Sequence, residues 1–195
     1  MQSSPKRGDR MANIMPFDAL NALKDALPAH FENGKIKSEA DLDSILDMLE
    51  DLFLLAYANG VELTNESLSS SYKPTLDEVY ETVDKEIAGK TWRERVRDYY
   101  SSGGSEGDIV RIAETETHRD SNEAAYRTAK AAGATTKTWH CMMLPTSRDS
   151  HVYLDGVDAP IDGEFYSPNG GKTQFPGEWG IAEEDVNCLC WLTFS

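Results

Sequence analysis

Two short runs decide the fold of this chain: His151-Val-Tyr-Leu-Asp-Gly156 and, much later, Asn187-Cys-Leu-Cys190. In the first run Val152 and Leu154 alternate with polar neighbours, which is typical of a half-buried strand. The run ends at Asp155-Gly156, a pair that accepts the positive φ of a tight turn. The pattern predicts a β-hairpin within a turn-rich β region.

The chain before these runs is predicted to be largely helical, because its apolar residues recur at intervals of three and four. The predicted helices run from Phe17 to Leu27, from Ser38 to about Asn59-Gly60, from Thr75 to Gly89, from Thr91 to Tyr99, and from Ser105 to Ala132 with Gly133 after it. Loops are predicted between Leu63 and Tyr72 and at Ser101–Ser105, and a strand from Thr135 to Leu144. The fold class expected is α+β, with the long helix 105–133 leading into a small antiparallel β region, 134–195.

Composition limits the function classes. The 195 residues include 34 acids and 19 bases, a net charge of −15, and residues 151–195 contain Lys172 as their only base. Binding DNA through its phosphates needs clustered Lys and Arg, so direct DNA binding is disfavoured and a basic protein partner fits better. No apolar run reaches the ~20 residues of a membrane span, and residues 1–16 are predicted to be a disordered arm. No secretory signal is apparent, which indicates synthesis in the cytoplasm.

The long predicted helix changes character along its length. It begins with an apolar face and continues with Glu116, Arg119 and Glu123, with Asn122 beside them. Residues three and four apart share a helix face, so these side chains can bond one another. We expect Glu116 and Arg119 to tie this helix to the backbone of the β region; an exposed surface pair is the alternative.

His151, Cys188 and Cys190 are the candidate metal ligands, with His118, His140 and Cys141 as further candidates. Thiolate and imidazole are ligands of structural zinc, which takes four of them. Cys-x-Cys differs from the usual Cys-x2-Cys spacing, and its Cα atoms in a strand, ~6.5–7 Å apart, lie at the edge of disulfide geometry. Buried free thiols, a bound metal and a disulfide all stay open. A Cys188 nucleophile with His151 as its base is a further alternative, although neither glycine-rich phosphate-binding motif is present.

Motifs in the last hundred residues resemble the phage Mu F-like, or phage head morphogenesis, domain over roughly residues 90 to 195. The residues that carry the resemblance are, in order, Thr115-Glu116, Arg119, Asn122, Gly133, Trp139, Arg148, His151, Leu154-Asp155-Gly156, Phe165, Pro168, Pro176 and Asn187-Cys188-Leu189-Cys190. The chain departs from the family pattern at two places. Leu144–Ser147 lacks the acidic residue that commonly precedes the Arg-x-x-His motif, and Leu189 replaces the usual Arg.

The resemblance implies a non-enzymatic minor head protein of a phage virion. Such a protein is made in the host cytoplasm, incorporated during procapsid assembly through the portal, and acts in head morphogenesis or DNA delivery. Its expected partners are the portal protein, other capsid components and a scaffold. The domains expected are a helical part, 17–104, and a Mu F-like domain, 105–195. The rival functions are a zinc-stabilised binding module of non-viral function and a toxin-like or hydrolytic enzyme.

The helix from Ser38 has more apolar residues than one buried stripe needs. Leu54 and Leu55 widen its apolar face, and surplus apolar surface on a small protein is typical of a partner site. The sequence therefore predicts that Leu54 and Leu55 contact a capsid partner.

Overall fold

The computed structural model describes residues 17–195, so the predicted arm at residues 1–16 lies outside the described residues. Its helices are α1 (Phe17–Ala26), α2 (Glu39–Leu68), α3 (Leu76–Val83), α4 (Trp92–Ser102), α5 (Glu106–Ala131), α6 (Asp149–Leu154) and α7 (Ala182–Asp185), with a 3-10 turn at Leu27–His30. Its strands are β1 (Phe31–Glu32), β2 (Lys35–Ile36), β3 (Thr136–His140), β4 (Asp158–Pro160), β5 (Phe165–Tyr166), β6 (Lys172–Thr173) and β7 (Trp191–Phe194). The predicted α+β class is confirmed: a helical part precedes small antiparallel sheets.

The sheets are small and all their pairings are antiparallel. β1 pairs with β2, β5 with β6, and the three-stranded sheet has the order β4-β3-β7. The central strand β3 is shorter than the predicted 135–144, because the chain leaves the sheet after His140. At the start of β3 the backbone of Thr135 and Thr136 bonds the carbonyl of Ser195, which holds the last residue against the sheet. No helix of residues 17–195 has the length and apolarity needed to cross a membrane.

Helices α2 and α5 form the centre of the helical part. Residues at helical spacing on α2, including Ile45, Leu49 and Phe53, are fully buried, and the Phe53 and Trp92 rings meet edge to face at 5.0 Å. Such a buried edge-to-face pair adds ~0.5–1.5 kcal/mol to the burial of the rings. Trp92 is the first residue of α4, so this pair joins α4 to the central helix.

The prediction that the second helix ends at Asn59-Gly60 is wrong. Helix α2 continues to Leu68, so most of the loop predicted from Leu63 to Tyr72 is helical. A Cβ on Gly60 would overlap the Ser121 carbonyl oxygen and lie 3.0 Å from Ala124 Cβ. Gly60 therefore serves the close packing of α2 on α5 and does not end the helix. Gly marks helix ends so often that this role could not be distinguished from the sequence.

The predicted hairpin at residues 151–156 is also wrong, because residues 149–154 form helix α6. Its buried residues, Ser150, His151 and Leu154, follow the helical spacing of three and four, whereas Val152 and Tyr153 are exposed. The apparent alternation of Val152 and Leu154 concealed this period. The predicted turn is present, since Gly156 has φ +81° and its N–H donates to the Trp139 carbonyl oxygen.

The helix starts were predicted more accurately than the ends. In both α3 and α4 a threonine and a glutamate form a capping box, Thr75 with Glu78 and Thr91 with Glu94. Helix α3 nevertheless ends at Val83 and not at Gly89. Helix α4 extends to Ser102, so Ser101 and Ser102 are helical and not part of a break.

Candidate functional site

The middle of α5 carries a continuous set of polar residues that are almost completely buried. Its members are Glu116, Thr117, His118, Arg119, Asp120, Ser121, Asn122 and Glu123, each no more than 3% exposed. The sequence predicted mutual bonding within this set, and Arg119 Nε donates to Glu116 Oε2 over 2.9 Å. An exposed surface pair, the alternative interpretation, is excluded for Glu116 and Arg119. Burying so many polar groups requires partners for them, since an unpaired buried charge costs several kcal/mol.

Glu116 and Arg119 bind the helical part and not the backbone of the β region, so that prediction is corrected. Arg119 Nη2 donates to the Thr82 carbonyl oxygen over 3.2 Å, and Arg95 Nη2 lies 2.5 Å from Glu116 Oε1. Thr82 lies in the last turn of α3, where helix carbonyls lack partners within the helix. These bonds therefore fasten α3 and α4 to α5.

Asp120 is a buried acid that the sequence analysis missed. It is fully buried, and Oδ1 lies 2.6 Å from Arg119 Nη2 at an ion-pair distance but outside hydrogen-bond geometry. Burial raises the pKa of Asp120 well above its usual value, against the lowering effect of Arg119. Its i,i+4 spacing from Glu116 was the available signal. With Glu123 there are three buried carboxylates near Arg119, and Lys85 and Arg127 pair with Glu123 from the outside.

His118 and Asn122 connect α5 to the loop before β7. His118 Nε2 lies 2.5 Å from the Cys190 carbonyl oxygen, and Asn122 Nδ2 donates to the same oxygen over 3.1 Å. Asn122 also donates to the His118 carbonyl oxygen over 3.1 Å. One carbonyl of the Asn-Cys-Leu-Cys run is thus held by two side chains of the long helix.

The thiol of Cys190 belongs to a group of metal-ligand side chains. His151 Nδ1 lies 3.5 Å from Cys188 Sγ and 3.3 Å from Cys190 Sγ. The ligand atoms of these three residues all lie within 4.8 Å of one another, and Cys141 lines the same cavity. His151, Cys141, Cys188 and Cys190 are called the His–Cys cluster below. All four are buried, and no disulfide joins the three cysteines.

The other nitrogen of His151 faces a carboxylate. His151 Nε2 lies 2.8 Å from Glu184 Oε2, an ion-pair contact with a poorly aligned N–H direction. Glu184 is itself buried and accepts hydrogen bonds from three side chains. The donors are Ser150 Oγ at 2.9 Å, Ser167 Oγ at 3.2 Å and Asn169 Nδ2 at 2.7 Å. Glu184 was not predicted as a site residue; its place in the acidic run Glu183-Glu184-Asp185 just before the cysteines was the available signal.

The residues of the cluster shift one another's pKa values in different directions. Burial alone would lower the pKa of His151, but the Cys188 thiol and Glu184 raise it overall. The thiol of Cys190 and, to a lesser degree, His118 and His151 hold the pKa of Cys188 well below its usual value. An interaction with Cys190 likewise lowers the pKa of Cys141 to about 6. The thiols of Cys141 and Cys188 in turn raise the pKa of Cys190.

Aromatic rings enclose the imidazole of His151. Trp179 stacks on it with ring centres 6.0 Å apart, and Trp139 meets it edge to face at 5.9 Å. Trp139 is fully buried and also packs against Phe165 at 5.1 Å. The cavity beside the cluster has a volume of about 40 Å³. The ring of His151 is therefore fixed in place, and the space next to the thiols suits an ion or water better than an organic substrate.

The remaining motif residues hold the loops around the cluster. Arg148 donates to the Val186 carbonyl oxygen, and Asp155 Oδ1 accepts from the Cys141 backbone N–H over 2.8 Å. Asn187 is exposed with φ +57°, a left-handed conformation that Asn accepts more readily than most residues. Leu189 stands where the Mu F-like pattern usually has Arg, and it packs against the hydrophobic core of the helical part.

Three residues that the sequence predicted as site residues lie outside the His–Cys cluster. His140, a candidate ligand, stacks on Trp191 and its Nε2 lies 2.8 Å from Thr193 Oγ1, which turns it away from the thiols. Leu54 packs half-buried against the helical core, while Leu55 is 47% exposed. The predicted apolar patch is therefore reduced to Leu55, and a partner role for it stays a prediction.

With the fold and site described, comparison with known proteins points first to a class: part of the chain is similar to a phage head protein. The relative is the minor head protein GP7 of Bacillus phage SPP1, 34% identical over 87 residues, which are 42% of this chain and 28% of that protein. A second relative is the NAD(+)–arginine ADP-ribosyltransferase EFV of Enterococcus faecalis, 35% identical over 85 residues, 42% of this chain and 17% of that protein.

These similarities are partial on both sides, since the chain spans under a third of the length of either relative. No protein-family model matches the chain, so membership of the Mu F-like family stays a prediction. No solved structure matches it either. The similarity to a minor head protein supports a phage head role at this coarse level.

Proposed function

We propose that this chain is a non-enzymatic minor component of a phage head. It is incorporated during procapsid assembly through the portal and acts in head morphogenesis or in DNA delivery. The observation that carries the proposal is the 34% identity to the minor head protein of a Bacillus phage. It would place the chain in the virion, after synthesis in the host cytoplasm.

The packing of the described residues suits a rigid structural part. Helix α5 is bonded through Arg119 to α3, through Glu116 to α4, and through Asn122 to the loop before β7. Buried polar networks of this kind hold elements in one fixed arrangement when their members are paired. A component that must fit between other head proteins needs such a fixed arrangement.

The charge of the chain supports protein partners in place of packaged DNA. A net charge of −15 repels phosphates, whereas it favours association with a basic protein surface. The proposed partners are the portal protein and other capsid components, with the scaffold as a further one.

Copurification with the portal protein tests the partner assignment. The tagged chain is expressed together with the portal protein of the same phage or prophage and captured at low and at high salt. We expect the portal protein in the eluate, with less at high salt because surface charge pairs are screened. Equal recovery of portal protein with an unrelated acidic protein carrying the same tag would contradict the assignment.

ADP-ribosyl transfer is a second candidate function, favoured by the similarity to the Enterococcus enzyme. The matched stretch covers 17% of that enzyme, and the cavity beside His151 and Cys188, at about 40 Å³, is far smaller than the ~300–1,000 Å³ of typical ligand sites. Incubation with labelled NAD⁺ and an arginine-rich acceptor separates the two functions. We expect no transferred label; label that depends on the chain would favour the enzymatic function.

A further inference from the structure

The His–Cys cluster brings together chemistry that the proposed head function does not use. The imidazole of His151 on α6 and the thiols of Cys188 and Cys190 before β7 lie together in the interior of the β region, and Cys141, after β3, lines the same cavity. Residues 141, 151 and 188–190 are far apart in the sequence, so the fold itself assembles the group. We propose that the His–Cys cluster binds one structural zinc ion.

The distances within the cluster match those of a zinc site. With Zn–S of about 2.3 Å and Zn–N of about 2.0–2.1 Å, a sulfur and a nitrogen ligand of tetrahedral zinc are about 3.5–3.6 Å apart. His151 Nδ1 lies 3.5 Å from Cys188 Sγ and 3.3 Å from Cys190 Sγ. An ion placed among these three atoms needs only small side-chain adjustments. Cys141 lies outside the group of ligand atoms within 4.8 Å of one another, but it lines the same cavity as His151, Cys188 and Cys190, so we assign it as the fourth ligand.

The surroundings of His151 are those of a metal ligand. Zinc-bound histidines usually direct their second nitrogen to a carboxylate or carbonyl, which fixes the tautomer and the ring orientation. Here Nε2 faces Glu184 at 2.8 Å, and three side-chain donors hold Glu184 in place. With the proton on Nε2, the lone pair of Nδ1 points at the two thiols. His118 and Asn122 hold the backbone carbonyl oxygen of Cys190.

A nucleophile-and-base pair explains the same cluster less well. His151 is nearly equidistant from Cys188 and Cys190, whereas a catalytic base serves one nucleophile. Both thiols are at most 3% exposed, so a substrate could not reach them without opening the fold. Four enclosed ligands leave no open position, which is the arrangement of structural and not catalytic zinc.

Metal content of the purified chain tests the site. The full chain is expressed with added zinc, desalted and measured by inductively coupled plasma mass spectrometry. We expect about one zinc per chain, and tetrahedral cobalt bands with sulfur-to-cobalt charge transfer after replacement by Co²⁺. The matched control is His140→Gln, which alters a histidine directed away from the thiols and should retain the metal.

Variants of the ligands assign the site, with readouts that do not require each variant to be stable. Cys188→Ser should lose the metal, and Cys141→Ser should retain it more weakly with weaker charge transfer in the cobalt form. Glu184→Gln should keep the ligand set and weaken zinc binding by about 10–100-fold. The proposal would be overturned by three titratable thiols without metal in the wild-type chain, or by a disulfide between any two cysteines. It would also be overturned if the double variant Cys188→Ser, Cys190→Ser retained the metal.

Discussion

Asn122 Nδ2 donates to the Cys190 carbonyl oxygen over 3.1 Å, which joins the long helix to the loop that carries the paired cysteines. His118 Nε2 lies 2.5 Å from the same oxygen. The Asn on α5 and the Asn-Cys-Leu-Cys run, 68 residues apart, are thus two halves of one structural contact. This contact is one of several that join the helix to the β region; Tyr126 and Lys130 of the same helix contact Asp162.

Asn122→Leu should lower the free energy of unfolding by about 1–3 kcal/mol, because a buried carbonyl loses one of its partners. Urea denaturation followed by circular dichroism measures the change. Gln174→Ala is the control, since that amide makes only a 3.5 Å contact to the Asp162 carbonyl at the surface. The account of the Asn122 contact fails if both variants have the same urea midpoint.

Glu116→Ala should destabilise the chain by about 3–5 kcal/mol, because it leaves the buried Arg119 without the carboxylate to which its Nε donates a hydrogen bond. Glu114→Ala, on the same helix, removes a partner of Lys24 at a site where both side chains are 35% exposed. We expect a cost of about 0–1 kcal/mol there. Thermal melting of the two variants side by side checks the difference, and similar melting temperatures would show that the buried network contributes nothing.

Gly60→Ala should cost about 1–3 kcal/mol although alanine favours helices, because the added methyl group meets the backbone of α5. Gly107→Ala is the matched control within α5. The atom nearest to its added methyl group is Ser105 Oγ at 3.6 Å, so this variant should gain about 0.5–1 kcal/mol. Chemical denaturation of both variants tests the opposite signs; a stabilising Gly60→Ala would disprove the close crossing of α2 and α5.

Lys137 gives a pH dependence of stability. Its side chain is fully buried, with Nζ 4.7 Å from the Tyr126 ring centre and no hydrogen-bond partner for Nζ among residues 17–195. Burial lowers the pKa of Lys137 from 10.5 to about 8, so between these values the unfolded chain binds the proton more tightly. The contribution of Lys137 to the free energy of unfolding therefore rises from about pH 8 to about pH 10.5 and is unfavourable below that window.

Lys137→Met removes this contribution, so its urea midpoint should change less than that of the wild type between about pH 7.5 and about pH 10. The other titratable groups are the same in both proteins, so the comparison cancels their contribution. Lys172→Met is the control, because Lys172 is 63% exposed and pairs with Glu164 at the surface. A wild-type pH response in Lys137→Met would show that the lysine is hydrated in the folded chain.

The sequence predicted the helical part well wherever capping residues and apolar spacing agreed. Thr75, Thr91 and Gly133 were correctly placed at helix ends. The end of α2 was predicted wrongly at Gly60, because this glycine is helical and serves the close approach of another helix. That approach depends on residues about sixty positions away. Long-range packing of this kind leaves no local signal.

The sequence predicted the residues of the site better than it predicted the contacts between them. His151, Cys188 and Cys190 were predicted as a group and do lie together. Cys141 and His118 were only further candidates, and His118 binds a backbone carbonyl. Glu184 was missed because α7 is a four-residue helix without periodicity, and only the tertiary fold brings it to His151.

The central claim is that this chain is a component of a phage head. Its most direct test is quantitative mass spectrometry of heads produced with the tagged chain and banded on a density gradient. Peptides of the chain should peak in the same fractions as the portal protein, at a low and constant copy number per head. A cytoplasmic protein with the same tag should stay at the top of the gradient. If the chain also stays there while intact heads form without it, the account is contradicted.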